Sequence, residues 1–147
     1  FLPDGKHAVS AGGDGRVRRW SADDPGWENA EKMDKKKKHQ VAELTGFSQP
    51  VHRLVLSGGK LFACSADLSV RLFDLEKKNQ LRSWSAQPDW PYALDFHEGS
   101  QRIAVAGLDG QVRIYKADSK DEKEPPVTIF VAAPGYTPPA TLPAAGE

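Results

Sequence analysis

The chain has almost no cysteine and no excess of charge of either sign. Its 147 residues include one cysteine, Cys64, which cannot form an internal disulfide or a cysteine-rich metal site. Cys64 lies in the middle of a predicted strand, where we expect a small buried thiol. Twenty basic and twenty acidic residues cancel, so no overall field draws the chain to nucleic acid or to an anionic membrane.

Long apolar runs and catalytic motifs are also missing. No stretch approaches the roughly 18 apolar residues that a membrane-spanning helix needs. None of the four histidines stands in a zinc-binding spacing or beside a nucleophile motif. His52 lies on a predicted innermost strand and is a candidate to line a channel. The sequence therefore predicts no catalytic, cofactor or metal residues, no membrane segment, and a protein that is not an enzyme.

What the chain does contain is one strand–turn–strand pattern that occurs three times. The copies are HAVSAGGDGRVRRWS at 7–21, LFACSADLSVRLFD at 61–74 and IAVAGLDGQVRIYK at 103–116. In each copy an aspartate precedes an aromatic residue by six positions. These pairs are Asp14 and Trp20, Asp67 and Phe73, and Asp109 and Tyr115. A pattern that repeats in this way predicts a fold built from similar units.

The spacing of the copies indicates the size of the unit. Phe73 and Tyr115 lie 42 residues apart (115 − 73), whereas Trp20 and Phe73 lie 53 apart (73 − 20). Four-stranded propeller blades repeat at roughly 40–45 residues. The longer interval therefore predicts a blade with an inserted loop, which we place at residues 21–40.

The copies resemble the WD-repeat (tryptophan–aspartate repeat) β-propeller family, whose signature is carried by GGDGRVRRW, SADLSVRLFD and GLDGQVRIYK. Only Phe73-Asp74 keeps the acidic residue of the dipeptide that names the family. The resemblance implies an all-β fold, a partial β-propeller of about three four-stranded antiparallel blades over residues 1–131. The Pro- and Ala-rich residues 132–147 are then expected to form a tail or linker.

The start of the chain falls inside a predicted blade. Phe1 aligns with Phe96, because each is followed by six residues before the next strand. The first blade is therefore expected to lack its innermost strand, and the chain to be the C-terminal part of a longer propeller.

The resemblance also assigns structural roles to the signature residues, which are Asp14, Trp20, Ser65, Asp67, Phe73, Asp74, Asp109 and Tyr115. Family members often carry Gly-His in the segment that crosses between blades, and this histidine joins a hydrogen-bond network with the turn aspartate. Here the crossing contains Gly46-Phe47, so we expect Phe47 to pack on Phe73 in place of the network. The third blade has no histidine at the corresponding place.

Two classes of function are compatible with these repeats. The first is a non-catalytic scaffold that binds proteins through rigid blade edges and loops. The second is an accessory propeller of a larger bacterial enzyme or cytochrome-type polypeptide, because the tail is similar to tails fused to c-type cytochrome modules. No haem-attachment CxxCH is present, and no cofactor is predicted. The expected partners are proteins of unspecified identity and the remaining blades of the parent chain; the sequence names no cellular compartment.

Candidate contact residues come from aromatic side chains in predicted loops and, for Tyr92, at the start of the strand that follows one. Trp90 and Tyr92 flank a proline beside Asp89, a composition that suits recognition as well as packing between blades. Phe47 lies in the other crossing segment. Trp27 is the large apolar residue of the inserted loop, where it either folds the loop back or marks a contact surface.

Charged residues of the inserted segment raise two further expectations. Lys35–Lys38 form a basic run, but the nearby acidic residues neutralise much of it, so we expect a solvated loop and no nucleic-acid site. Arg19 occupies the position of apolar residues in the other copies. We expect it to anchor the insertion through acids such as Asp23, Asp24 or Glu28.

Overall fold

The computed structural model describes residues 1–22, 39–121 and 123–135. Within these ranges the regular structure consists of β-strands and one 3-10 turn at Glu98–Ser100. The strands are β1 His7–Ala11, β2 Val17–Ser21, β3 Gln40–Leu44, β4 Val51–Ser57, β5 Lys60–Ser65, β6 Ser69–Asp74, β7 Asn79–Trp84, β8 Pro91–His97, β9 Arg102–Gly107, β10 Gln111–Lys116 and β11 Thr128–Val131.

The strands form three antiparallel sheets that follow one another along the chain. The first sheet has the order β1-β2-β3, the second β4-β5-β6-β7 and the third β8-β9-β10-β11. Within each sheet, every strand pairs with its neighbour in sequence, as in the blades of a propeller. The predicted all-β partial propeller is thereby confirmed. The division of the chain at residue 131 into blades and tail stays a prediction.

Alternation along the strands distributes the apolar side chains between two cores. On β6, Val70 and Leu72 belong to the core shared with the third sheet. Phe73, the next residue, belongs to the core shared with the first sheet. Because successive side chains point to opposite faces of a strand, the middle sheet has an apolar surface on both sides.

Both cores are closely packed around aromatic and branched side chains. Phe62 is 0% exposed between the second and third sheets, and Phe73 is 1% exposed between the first and second. Burying a side chain of this kind contributes about 1.5–3 kcal/mol. Contacts between successive sheets, in addition to the strand pairing inside each one, therefore hold the fold together.

The tight turns between β1 and β2, between β5 and β6 and between β9 and β10 have the same structure. In each turn the aspartate accepts a hydrogen bond from the backbone N–H two residues later, at 3.2 Å for Asp14, 3.1 Å for Asp67 and 3.1 Å for Asp109. The residue after the aspartate has a positive φ: 68° at Gly15, 63° at Leu68 and 71° at Gly110. Glycine adopts this conformation readily, and the second sheet forms the same turn with leucine.

Arg19 lies at the interface between the first and second sheets, as the alignment of the copies predicted. Its Nη1 donates to the carbonyl oxygen of Leu75 at 3.3 Å, across the two sheets. Its Nε is buried with no partner among the described residues. The acids expected to pair with it (Asp23, Asp24 and Glu28) lie outside the described residues, so anchoring of the insertion stays a prediction.

The surroundings of Gly15 yield a prediction about stability. A Cβ at this position would lie 3.0 Å from the carbonyl oxygens of Phe47 and Gln49, in addition to the positive φ. Gly15→Ala should therefore cost roughly 1–2 kcal/mol for the backbone conformation and a further 1–3 kcal/mol or so for the close contact. Urea unfolding measures both terms together.

Gly5→Ala is the matched control for this change. Gly5 has a φ of +66°, and a Cβ there would meet nothing within 4 Å. It should lose only the conformational part of the free energy of unfolding. If the two variants lost the same free energy of unfolding, the carbonyl oxygens of Phe47 and Gln49 would not be in close contact with a Cβ at position 15.

Candidate protein-interaction surface

The crossing segments, residues 45–50 and 85–90, lie against the aspartate turns. Backbone hydrogen bonds join the two kinds of segment at one edge of the sheets, which we call the turn edge. These bonds are Val51 N–H to Gly12 O at 3.1 Å, Ala66 N–H to Pro50 O at 2.9 Å, Gln87 N–H to Leu68 O at 2.9 Å and Leu108 N–H to Trp90 O at 3.1 Å. The crossing segments are therefore fixed in position by backbone contacts.

Each turn aspartate also pairs with the arginine four residues later. Arg18 Nη2 lies 2.7 Å from Asp14 Oδ2, Arg71 Nη2 lies 3.4 Å from Asp67 Oδ2, and Arg113 pairs with Asp109. The first pair is partly exposed, whereas the Asp67 and Asp109 side chains are 7% and 13% exposed. A recurring Asp-x-x-x-Arg spacing in the sequence is the signal for these pairs.

The environment of Asp109 sets its charge. Burial alone would raise the pKa of this carboxyl, but hydrogen bonds from Arg113 and from the Gln111 backbone together lower it below its ordinary value. The folded state therefore binds the proton less readily than the unfolded chain does. Its contribution to stability is complete above a pH of about 4, the ordinary carboxyl range, and is lost as the pH falls through the folded-state pKa.

Asp109→Asn should therefore reduce the change of the unfolding free energy with pH in the acid range. At neutral pH we expect a loss of roughly 1–2 kcal/mol, because the hydrogen bonds to the charged group are weakened. As the pH falls from about 4 through the lowered folded-state pKa of Asp109, the variant and the wild type should converge. Unfolding in urea at several pH values measures this difference. Asp118→Asn, at an exposed position, controls for the loss of one negative charge; the same pH profile in both variants would contradict the role given to Asp109.

The first crossing segment buries Phe47 against the middle sheet. The Phe47 and Phe73 ring centroids lie 5.9 Å apart, and the Arg71 guanidinium carbon lies 4.7 Å above the Phe47 ring. This is the aromatic packing expected in place of the hydrogen-bond network. Phe47 is 9% exposed, so we do not include it in the surface proposed below. Its ring is needed for the core.

In the second crossing segment, polar groups make the corresponding contacts with the neighbouring sheet. Gln87 occupies the place of Phe47, one residue after the positive-φ Ala86 that matches Gly46. The Tyr115 hydroxyl donates to Gln87 Oε1 at 3.0 Å, and Gln87 Nε2 donates to the Trp84 carbonyl at 3.4 Å. The resemblance implies a histidine at this place, and the role of the glutamine was not predicted from the sequence. Alignment of the two crossings would have identified it.

This pair leads to a prediction about energetic coupling. Tyr115→Phe leaves the buried Gln87 Oε1 without a donor and should cost about 1–3 kcal/mol. The double variant Gln87→Leu with Tyr115→Phe should lose less than the sum of its single variants, with a coupling of about 1 kcal/mol. A double-mutant cycle in urea measures it. Tyr92→Phe removes the hydroxyl of an exposed tyrosine and should change stability by less than about 0.5 kcal/mol; strictly additive single and double variants would contradict the coupling.

Three aromatic side chains meet where the innermost strands of the second and third sheets begin. His52 and Tyr92 stack at 4.3 Å with 10° between their planes. Trp90 lies 6.3 Å from each of them in an edge-on arrangement. His52 Nδ1 lies 3.2 Å from the Pro91 carbonyl oxygen, within hydrogen-bond distance. We call His52, Trp90 and Tyr92 the aromatic cluster.

Irregular strand pairing positions this cluster. The register between β4 and β5 shifts between Val51 and Arg53, and that between β8 and β9 shifts between Pro91 and Ala93. His52 and Tyr92 are thus the extra residues of two equivalent bulges, and such bulges redirect side chains. Tyr92 remains 44% exposed. The cluster is therefore accessible from solvent, and it presents apolar ring surface together with polar atoms.

The remaining predicted residues occupy structural positions. Trp20 Nε1 donates to Ser10 Oγ at 2.8 Å, and Ser65 Oγ donates to the Gln49 carbonyl at 3.0 Å. Asp74 accepts from the backbone N–H groups of Glu76 and Lys77 at 2.9 Å each. Trp27 and the basic run Lys35–Lys38 lie outside the described residues. Their predicted roles stay predictions.

The described residues show little that resembles a reactive site. Cys64 is 0% exposed, and burial raises the pKa of its thiol to about 11. Within residues 1–22, 39–121 and 123–135, no three His, Cys, Asp or Glu side chains are grouped so that they could hold a metal ion. Over the same ranges no helix has the length and apolar character needed to cross a membrane.

Comparisons with known proteins agree with the repeat pattern. The WD domain, G-beta repeat family model matches residues 1–21 and 78–116. Coronin-7 of Bos taurus is 28% identical over 115 residues, which cover 76% of this chain and 12% of the relative. Coronin-7 of Mus musculus is 28% identical over 112 residues, covering 74% and 12%. The chain thus spans about 12% of the length of these curated relatives.

The three successive antiparallel sheets, joined through buried cores, are those of a β-propeller. Within this class, the aspartate turns, the repeat model matched over residues 1–21 and 78–116, and the similarity to Coronin-7 support the WD-repeat family of β-propeller proteins.

Proposed function

We propose that this chain is a non-catalytic protein-interaction scaffold, and that the aromatic cluster is a contact site for a protein partner. WD repeats generally serve protein–protein interaction, and the family match supports this class of function. Fold by itself does not name a partner. The observation that carries the proposal is the stacked, bulge-positioned pair of His52 and Tyr92 beside Trp90.

The chemistry of the cluster fits a protein contact. Tyrosine and tryptophan are enriched in interfaces, because each combines a large apolar surface with a hydrogen-bonding group. The rings are held by neighbouring sheets and by stacking, so little side-chain entropy remains to be lost on binding. Asp89, 7% exposed, accepts the Trp90 backbone N–H at 2.7 Å and fixes the start of the strand.

Photo-crosslinking tests the location of the contact. Tyr92→benzoylphenylalanine in the full chain should crosslink to a partner that mass spectrometry identifies. The control Phe130→benzoylphenylalanine places the same group on an outer strand, where Phe130 is 50% exposed. Crosslinks that form from position 130 and not from position 92 would move the contact away from the cluster.

Affinity for the identified partner is the second measurement. Tyr92→Ala should weaken binding at least about ten-fold, as expected for an aromatic residue at the centre of an interface. Leu81→Ala is the matched control, because Leu81 is 43% exposed against 44% for Tyr92. It should change the Kd by less than about three-fold, which is within the range of ordinary surface substitutions. Equal effects of the two changes would refute a specific role for Tyr92.

A further inference from the structure

A cavity whose lining does not include the aromatic cluster lies between the end of β7 and the loop that precedes β11. Its volume is about 220 Å³, and it is lined by Trp84, Gln87, Tyr115, Glu124, Pro125 and Pro126 among others. Two of its lining side chains have a buried polar atom with no hydrogen-bond partner among the described residues, namely Trp84 Nε1 and Glu124 Oε2. Trp84 is 3% exposed.

Unpaired buried polar atoms are uncommon, because each one costs about 1–3 kcal/mol if nothing satisfies it. The two atoms here are complementary: an indole N–H only donates, and an ionised carboxylate oxygen only accepts. Hydrogen bonds from Ser119 and Lys116 keep the pKa of Glu124 below its ordinary value. Glu124 therefore carries its charge at neutral pH.

Several other polar groups of the cavity are already engaged. The Tyr115 hydroxyl donates to Gln87 Oε1, and Gln87 Nε2 donates to the Trp84 carbonyl. Pro125 and Pro126 have no backbone N–H to offer. A ligand group that satisfies the two unpaired atoms needs one acceptor and one donor.

The surrounding charges favour a neutral group. The Arg82 guanidinium carbon lies 4.7 Å from the Trp84 ring, and Lys116 Nζ lies 3.2 Å from Glu124 Oε1. These cations and Lys123, which also lines the cavity, oppose the entry of a further cation. An ionised carboxylate would offer only acceptors, so it could not donate to Glu124 Oε2. An amide is neutral and carries its acceptor and its donor on separate atoms. Its planar shape also suits a wall made of an indole ring and two prolines.

We propose that this cavity binds an amide group of a protein partner, with Trp84 Nε1 donating to the amide oxygen and Glu124 Oε2 accepting from the amide N–H. The source of the amide is either an Asn or Gln side chain or a backbone peptide group. This site adds a second point of contact to the proposed scaffold. Its test uses small amides and is therefore independent of the partner at the aromatic cluster.

The probes are acetamide, which represents a side-chain amide, and N-methylacetamide, which represents a peptide group. The indole N–H resonances of the ¹⁵N-labelled full chain are followed by NMR and assigned with Trp84→Phe and Trp90→Phe. A saturable shift of the Trp84 indole N–H is expected at millimolar amide, and none of similar size at Trp90. Tighter binding of acetamide indicates a side-chain source, and tighter binding of N-methylacetamide a backbone source.

Glu124→Gln tests the second hydrogen bond without removing a core side chain. It replaces a carboxylate oxygen by an NH₂ group and should weaken amide binding about ten-fold, as expected for a lost hydrogen bond to a charged acceptor. Asp118→Asn, at an exposed position before the same loop, should leave the affinity unchanged.

Three results would overturn the proposal. The first is a Trp84 resonance that does not shift with either amide, which would mean that water satisfies the two atoms. The second is an equal saturable shift with ethanol, which would assign the site to hydroxyl groups. The third is an affinity that Glu124→Gln leaves unchanged.

Discussion

The middle sheet is covered on both faces, and the rest of the structure depends on this burial. Its two central strands, β5 and β6, carry apolar side chains at successive positions, from Leu61 and Phe62 to Leu72 and Phe73, all at most 4% exposed. Strands in a sheet with one solvent-exposed face alternate apolar and polar residues, whereas β5 and β6 do not. Each apolar face is buried against a neighbouring sheet, so the three sheets stabilise one another.

The strands and turns could be predicted because their signals are local. An aspartate followed by a residue with positive φ forms the same turn in all three sheets, and the six-residue spacing to the aromatic follows from the strand after it. Leu68 shows how far this signal extends. The second turn keeps the same backbone conformation without glycine, because the aspartate hydrogen bonds and the packing around it hold the chain there.

The details of the site were less accessible to sequence analysis, because they depend on contacts between sheets. Trp90 and Tyr92 stood out as aromatic residues in a loop, and His52 as a residue of an innermost strand. That His52 stacks on Tyr92 depends on two bulges in separate sheets and on the distance between those sheets. The Tyr115 hydroxyl that donates to Gln87 likewise comes from the neighbouring sheet. The aspartate–arginine pairs were visible in the sequence as a repeated spacing of four. Residues four apart in a β-hairpin need not be in contact, so the spacing alone did not predict the ion pairs.

Equivalent positions in the three sheets differ in burial, and the difference follows from which neighbour each sheet has. Val17 and Val70 are both 0% exposed, and each faces the next sheet along the chain. Val112 and Ile114 occupy the same face of the third sheet and are only half-buried. The amino acids at this face are those of a sheet-to-sheet interface, with Ile114 at the place of Leu72. An apolar face of this kind is stabilised when another blade covers it, and this is the physical basis for predicting further blades as partners of these three sheets.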